Sequence, residues 1–146
     1  MLLELGRAAE WVDLFVPNAL LRCGAQQFKG RAELLELACR TIAGQFDLAA
    51  GPGTSPGRYR HSLSDVSLFA DGMQRASGFA HLNVFTVGAA GAPRWLACGV
   101  YSDKLSRCAA GCWRFESRLL MAGGAVTAES VQDLTPAASG LGAAKV

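Results

Sequence analysis

The sequence has few charged residues and no long apolar run. Lysine, arginine, aspartate and glutamate make up 18% of the 146 residues, and the formal net charge is +2. This charge is too small for a surface that binds nucleic acid through its phosphates. The lack of any run of about 18 apolar residues excludes a spanning helix. The first residues also lack the basic flank and apolar segment of a signal peptide, so we expect a soluble, cytoplasmic protein.

The chain is instead rich in apolar residues, which form 51% of its composition. This composition is typical of a globular domain and not of a disordered segment. A chain of this length forms one domain, which buries roughly 68% of the surface of its unfolded form. We expect the domain to span residues 1–122, followed by a partly mobile tail at 123–146 that is rich in alanine and glycine.

Five cysteines are present, and an odd number in a chain of this kind predicts free thiols. Cys108 and Cys112 form a C-x3-C pair at the tip of a predicted hairpin. A metal site there would need two more suitable ligands, and the sequence has no second cysteine pair and no histidine at ligand spacing. We therefore predict no metal and no other cofactor, and we favour free thiols over a redox role.

Hydrophobic periodicity predicts helices first and strands after them. Apolar residues at helical spacing predict helices over 2–15 and 32–46, and residues 49–57 form a Gly/Pro-rich loop. Five segments have the pattern of strands: 19–23, 59–70, 75–87, 95–107 and 112–121. The pair Asp71-Gly72 is a strong hairpin signal. Helices followed by long antiparallel strands indicate an α+β fold.

The most distinctive residue pattern lies in the last two strands. It runs GVYSDKLSR over 99–107 and GCWRFESR over 111–118. Alternation with a period of two predicts one packed and one solvated face, with Arg118 on the solvated face, either in solvent or at a subunit interface. On the preceding strand, Asp103 and Arg107 share a face, and we expect them to pair.

This hairpin resembles the last hairpin of the SnoaL-like branch of the nuclear transport factor 2 superfamily. Three other segments resemble family motifs in the same order: WVDLFVPN at 11–18, FKGR at 28–31 and RHSLSD at 60–65. Asn18 stands where the family has aspartate, and Asp65 where it has asparagine. The resemblance covers residues 4–121. It implies a cone-shaped, curved, mostly antiparallel sheet with about three helices around one apolar pocket.

The resemblance also implies a catalytic pair. Scytalone dehydratase, bile-acid dehydratase and hexachlorocyclohexane dehydrochlorinase use a histidine at the start of a central strand, oriented by an aspartate of the first helix. His61 falls on the histidine position and Glu4 on the aspartate position. Imidazole suits the removal of a proton from carbon at neutral pH, and a carboxylate on the other ring nitrogen fixes its tautomer. The alternatives are a structural or ligand-positioning role for His61 and a solvated position for Glu4.

Further residues are candidates for contact with the substrate. His81 resembles a second pocket histidine of scytalone dehydratase, while Tyr101 and Arg107 are candidates to stabilise an enolate oxygen. Trp11 and Phe15 are candidate apolar contacts, although core packing is the simplest role of such aromatic residues.

The function implied by the resemblance is that of a small cofactor-independent lyase or isomerase. Such a dehydratase, isomerase or cyclase would act on an apolar cyclic, polyketide-like or steroid-like molecule. One alternative is a non-catalytic ligand-binding protein, or an assembly protein like the small subunits of ring-hydroxylating dioxygenases. Another is an epoxide hydrolase, although the Asp-Arg-Asp constellation of those enzymes has no evident counterpart. In each case we expect a homodimer or higher homo-oligomer formed through the outer face of the sheet.

Overall fold

The computed structural model describes residues 2–47, 51–52, 59–87 and 93–122 and has an α+β architecture. Its helical segments are a 3₁₀ turn at Leu3–Leu5, α1 at Ala8–Asp13 and α2 at Gly30–Ile42. The strands are β1 Phe15–Cys23, β2 Gln26–Lys29, β3 Phe46–Asp47, β4 Gly51–Pro52, β5 Tyr59–Asp71, β6 Arg75–Val87, β7 Pro93–Arg107 and β8 Trp113–Ala122.

Six of the strands form one open, curved sheet in the order β2-β1-β8-β7-β6-β5. Neighbours are antiparallel except β1 and β8, which are parallel. Strands β3 and β4 pair separately. The predicted fold class is confirmed, and the four long strands match their predicted bounds within two residues. The turn between β5 and β6 contains Gly72 at a φ of +69°, which glycine adopts at no steric cost.

The prediction of one continuous helix over 2–15 is wrong. Gly6 has a φ of +73° and ends the 3₁₀ turn, and α1 begins only at Ala8. At the other end, the backbone N–H of Phe115 donates to the carbonyl oxygen of Leu14 at 2.8 Å. Phe115 is the partner of Phe15 in β8, and this hydrogen bond joins the chain to the sheet at Leu14. Strand β1 therefore begins at Phe15. The second helix begins and ends earlier than predicted, at 30–42 instead of 32–46.

The core lies between the two α-helices and one face of the large sheet, here called the inner face. Strand register defines this face because directly opposed residues point the same way. Fully buried side chains from the helices, β1 and the inner face form one cluster, which includes Val12, Phe15, Leu21, Leu34, Leu37, Leu82, Val84 and Leu120. The opposite face is called the outer face below.

Arg118 lies on the inner face, so its predicted solvated position is wrong. A register shift between Lys104 and Leu105 changes the phase of the alternation and places Arg118 directly opposite Asp103. The Nε and Nη2 atoms of Arg118 donate to the two Asp103 carboxylate oxygens at 2.8 and 2.7 Å. The predicted pairing of Asp103 with Arg107 is also wrong. Residues four apart on a strand are separated by about 13 Å, whereas cross-strand partners are adjacent.

The structure also corrects the expectation for two of the cysteines. Cys108 and Cys112 form a disulfide across the turn between β7 and β8, with their Cα atoms 5.3 Å apart. The short turn brings the two thiols together, which the odd cysteine count did not suggest. Cys39 and Cys98 are free thiols, as predicted. The predicted tail at 123–146 and most of the predicted loop at 49–57 lie outside the described residues, and the domain boundary at 122 stays a prediction.

Candidate active site

Glu4 and His61 meet at the edge of the sheet although they are 57 positions apart in the sequence. Glu4 lies in the 3₁₀ turn, and His61 lies near the start of β5, the last strand on its side of the sheet. One carboxylate oxygen, Oε1 of Glu4, accepts the backbone N–H of His61 at 2.7 Å and lies 3.2 Å from His61 Nδ1. The Glu4 and His61 side chains are only 9% and 18% exposed, so this contact is largely shielded from water.

A third group contacts the other oxygen of this carboxylate. The Nη1 atom of Arg60 lies 3.5 Å from Glu4 Oε2, and its side chain is 57% exposed. Glu4 therefore bridges two consecutive residues of β5, through the Arg60 side chain and through both the backbone and the ring of His61. Arg60 was not predicted as a site residue. Its position next to His61 in the sequence was the available signal.

The His61 ring lies on the inner face of the sheet. His61 is directly opposite Val84, and the next inner position on β5, Leu63, is opposite Leu82. The Nε2 atom, which is remote from Glu4, is buried. The site therefore joins an imidazole held by a carboxylate at Nδ1 to a surface of aliphatic side chains. Such an arrangement can take a proton at Nε2 while the carboxylate stabilises the resulting cation.

The structure does not bring His81 to this site. His81 alternates with the inner residues Leu82 and Ala80 and so lies on the outer face, with its side chain 54% exposed. Its Nδ1 atom is 2.9 Å from Oδ2 of Asp65, which lies in an irregularity of β5 at a φ of +49°. Hydrogen bonds, first from His81 and then from Ser64, hold the pKa of Asp65 below its usual value. The implied pocket position of His81 is therefore corrected.

Arg107 is also remote from the Glu4–His61 pair. It lies at the far end of β7, ten residues beyond Ala97, which is level with His61 across the sheet. That separation is on the order of 30 Å along the strand. The Nε atom of Arg107 donates to the Gly111 carbonyl oxygen at 3.2 Å within the hairpin turn. The implied role of Arg107 beside the substrate is therefore corrected.

Tyr101 lies on the inner face, but within the packed core. Its side chain is opposite Ala80 and Leu120, and the Arg118 guanidinium carbon lies 4.3 Å from the centre of its ring. The same carbon lies 4.0 Å from the centre of the Phe115 ring. The aromatic rings and Asp103 thus surround the arginine and hold it in a largely buried position. This network was missed in the sequence because it depends on the register shift in β7 and β8.

Trp11 and Phe15 are taken up by the core. Phe15 is fully buried, with its ring 4.9 Å from that of Trp11 and 5.3 Å from that of Phe115, measured between ring centres. These contacts join α1 to the sheet.

Within the described ranges, no three histidine, cysteine, aspartate or glutamate side chains lie close enough together to hold a metal ion. None of the described helices has the length and apolarity needed to cross a membrane.

The chain belongs to the SnoaL-like family. Its residues 1–119 match the model of the SnoaL-like domain, which covers the helices, the large sheet and both members of the Glu4–His61 pair. None of the functionally curated proteins matches the chain. The family membership agrees with the α+β fold described above.

Solved structures of the same fold come from several bacteria. Rv3472, a protein of unknown function from Mycobacterium tuberculosis, is 25% identical, with a TM-score of 0.69 over 86% of this chain, which spans 65% of the length of that protein. ActVI-ORFA from Streptomyces coelicolor is 18% identical, with a TM-score of 0.68 over 83% of this chain and 86% of its own. A candidate scytalone dehydratase from Novosphingobium aromaticivorans is 18% identical, with a TM-score of 0.64 over 84% of this chain and 75% of its own.

Proposed function

We propose that the protein is a cofactor-independent lyase or isomerase in which His61 removes a proton from carbon. The observation that carries this proposal is the 3.2 Å contact between Glu4 Oε1 and His61 Nδ1, shielded from water at the inner face. A carboxylate at this ring nitrogen orients the imidazole and favours the tautomer that carries the proton on Nδ1. The atom that acts as the base is then Nε2.

The proposed reaction begins at a carbon whose proton is acidified by a neighbouring carbonyl group. His61 Nε2 takes the proton, and the electron pair of the broken C–H bond passes into an enolate. In a dehydration, these electrons expel a hydroxyl group from the adjacent carbon, and the imidazolium returns its proton to form water. In an isomerisation, the proton returns to a different carbon. In both cases Glu4 stays ionised and stabilises the transient imidazolium.

The surface beside His61 supports an apolar substrate. Leu63 and Leu68 lie on the inner face of β5, opposite Leu82 and Gly78, yet they are 49% and 68% exposed. They extend the aliphatic surface that begins at His61 without being covered by the described helices. A polyketide-like or steroid-like ring can cover such a surface and gain free energy from its burial. A candidate scytalone dehydratase, whose name describes a reaction of this class, has the same fold at 18% identity.

The test is a screen for turnover of cyclic hydroxy-ketones and enones, followed by variants of the pair. His61→Ala is expected to lower kcat by about 100- to 10,000-fold, which is the usual contribution of a general base. Glu4→Gln keeps the shape of the side chain but removes its charge, so a smaller loss is expected. His81→Gln is the matched control because this histidine lies on the outer face. Full activity in His61→Ala would refute the proposed mechanism.

The alternative functions predict different results. A ligand-binding or assembly protein would bind apolar molecules without turnover, and loss of His61 would change the affinity little. An epoxide hydrolase like those of the superfamily would need two carboxylates around an arginine. The buried Arg118 has one carboxylate partner in the part of the chain that the structure describes, Asp103. The proton-abstraction proposal therefore rests on the more complete site.

A further inference from the structure

The turn between β7 and β8 carries a pair of bonded cysteines that the proposed reaction does not use. Cys108 and Cys112 lie just beyond the last paired residues of the two strands, Arg107 and Trp113. Backbone hydrogen bonds already hold this turn. The Cys108 N–H donates to the Cys112 carbonyl oxygen at 2.7 Å, and the Gly111 N–H donates to the Cys108 carbonyl oxygen at 2.8 Å. A disulfide that closes so short a loop constrains the unfolded chain less than one that closes a long loop.

The two sulfur atoms have different surroundings. Cys112 is exposed, whereas Cys108 is half-buried and its Sγ atom accepts the backbone N–H of Cys112 at 3.2 Å. The Cys112 N–H is a hydrogen-bond donor that stabilises negative charge on Cys108 Sγ. Cys112 is therefore the sulfur that an incoming thiolate reaches, and Cys108 is the better leaving group.

We propose that Cys108 and Cys112 form a reversible thiol-exchange site for low-molecular-weight thiols. A thiolate RS⁻ attacks Cys112 Sγ, the S–S bond breaks, and Cys108 leaves as a thiolate while RS–S–Cys112 forms. A second RS⁻ attacks the R sulfur of this mixed disulfide, which releases RSSR and the Cys112 thiolate. The pair is thereby reduced by two electrons and 2 RS⁻ is oxidised to RSSR. In the reverse direction, RSSR thiolates Cys112, and the Cys108 thiolate then displaces RS⁻.

The proposal is tested on the full-length, folded protein with reduced and oxidised glutathione. Samples are quenched with acid, alkylated and mapped by peptide mass spectrometry, so that each cysteine is followed separately. We expect reduced glutathione to open the disulfide without denaturant and oxidised glutathione to restore it. Cys39, an exposed single thiol in α2, is the internal reference for ordinary thiol reactivity. A disulfide that opens only in denaturant would overturn the proposal, as would a reduced pair that oxidised glutathione fails to close.

Two single variants test the order of attack. With the resolving thiol removed in Cys108→Ser, oxidised glutathione is expected to leave a stable adduct on Cys112. The matched variant Cys112→Ser is expected to accumulate several-fold less adduct on the half-buried Cys108. Equal adduct formation would overturn the assigned roles. The wild-type experiment uses no variant, so the central result does not depend on how either variant folds, and it is independent of the proposed lyase or isomerase activity.

Discussion

Asp103 and Arg118 form a bidentate ion pair on the inner face of the sheet, with N···O distances of 2.8 and 2.7 Å. The Asp103 and Arg118 side chains are only 9% and 15% exposed. Two charges in such a position depend on each other because neither is well hydrated alone. The rings of Tyr101 and Phe115 also contact the guanidinium, with their centres 4.3 and 4.0 Å from its central carbon. The pair is thus a structural centre of the last hairpin, apart from the Glu4–His61 site.

Removing one partner of this pair is expected to destabilise the protein strongly. Asp103→Ala leaves the Arg118 charge buried and unpaired, which costs about 3–5 kcal/mol in the free energy of unfolding. The control is the double variant Asp103→Leu with Arg118→Met, which removes both charges and is expected to remain near wild-type stability. Urea denaturation, followed by circular dichroism, measures the free energy of unfolding of both the single and the double variant. A loss of less than about 1 kcal/mol in Asp103→Ala would show that the arginine is hydrated.

Gly78 is expected to leave little room for a side chain. A Cβ atom at this position would lie 2.6 Å from Leu68 Cδ2 and 3.0 Å from the Ser67 carbonyl oxygen. Gly78→Ala is therefore expected to cost roughly 1–3 kcal/mol of stability through overpacking. Adding Leu68→Ala removes the side-chain clash but not the backbone one, so partial recovery is expected. Leu68→Ala alone is the control, and full recovery in the double variant would show that the Ser67 contact is harmless.

The Asp65–His81 pair predicts a pH-dependent contribution to stability. Because the hydrogen bond from His81 lowers the pKa of Asp65 in the folded state, this contribution is present above the unfolded-state pKa. It is lost as the pH falls through the lower, folded-state pKa. Asp65→Asn is expected to lower Tm modestly near pH 6. At pH values below both the folded-state and the unfolded-state pKa of Asp65, its Tm is expected to match that of the wild type. Asparagine also tolerates the left-handed backbone of this position. A Tm difference that is constant with pH would contradict this account.

The predicted homodimer can be tested by substitutions on the outer face of the sheet. Phe69 lies there at 51% exposure, and its ring centre is 6.2 Å from that of Phe79. We expect the protein to sediment as a dimer or higher oligomer, because a paired surface would cover these rings. Phe69→Glu is expected to shift the distribution towards monomer, whereas Leu63→Glu, on the inner face, is not. A wild-type protein that stays monomeric at high concentration would refute the predicted assembly.

The long strands could be predicted from the sequence because their signals are local. Strand β6 was predicted with its observed bounds, 75–87, from its alternation and the Asp71-Gly72 turn before it. The same alternation indicates that His81 lies on the outer face. Ala80, Leu82 and Val84 point inward, and His81 lies between Ala80 and Leu82. The end of the first helix had no such signal. Its apolar residues fit the period of a helix as well as that of a strand. A hydrogen bond from the distant Phe115 marks where the helix ends and the strand begins.

The candidate site was predictable only through the family resemblance. No local pattern relates Glu4 to a histidine 57 residues away, and their contact depends on how the 3₁₀ turn lies along the edge of β5. The Asp103–Arg118 pair could not be predicted because a single register shift reverses which face Arg118 occupies. The cysteine pair was visible as a motif, but its bond depends on the geometry of the turn.

The most direct test of the central claim is exchange of a substrate proton with solvent. A ketone found to bind is incubated with the protein in deuterated water, and deuterium at the carbon next to the carbonyl group is followed by NMR. The account predicts incorporation by the wild type and by His81→Gln, a reduced rate in Glu4→Gln and none above background in His61→Ala. Incorporation by His61→Ala at the wild-type rate would contradict the assignment of His61 as the base.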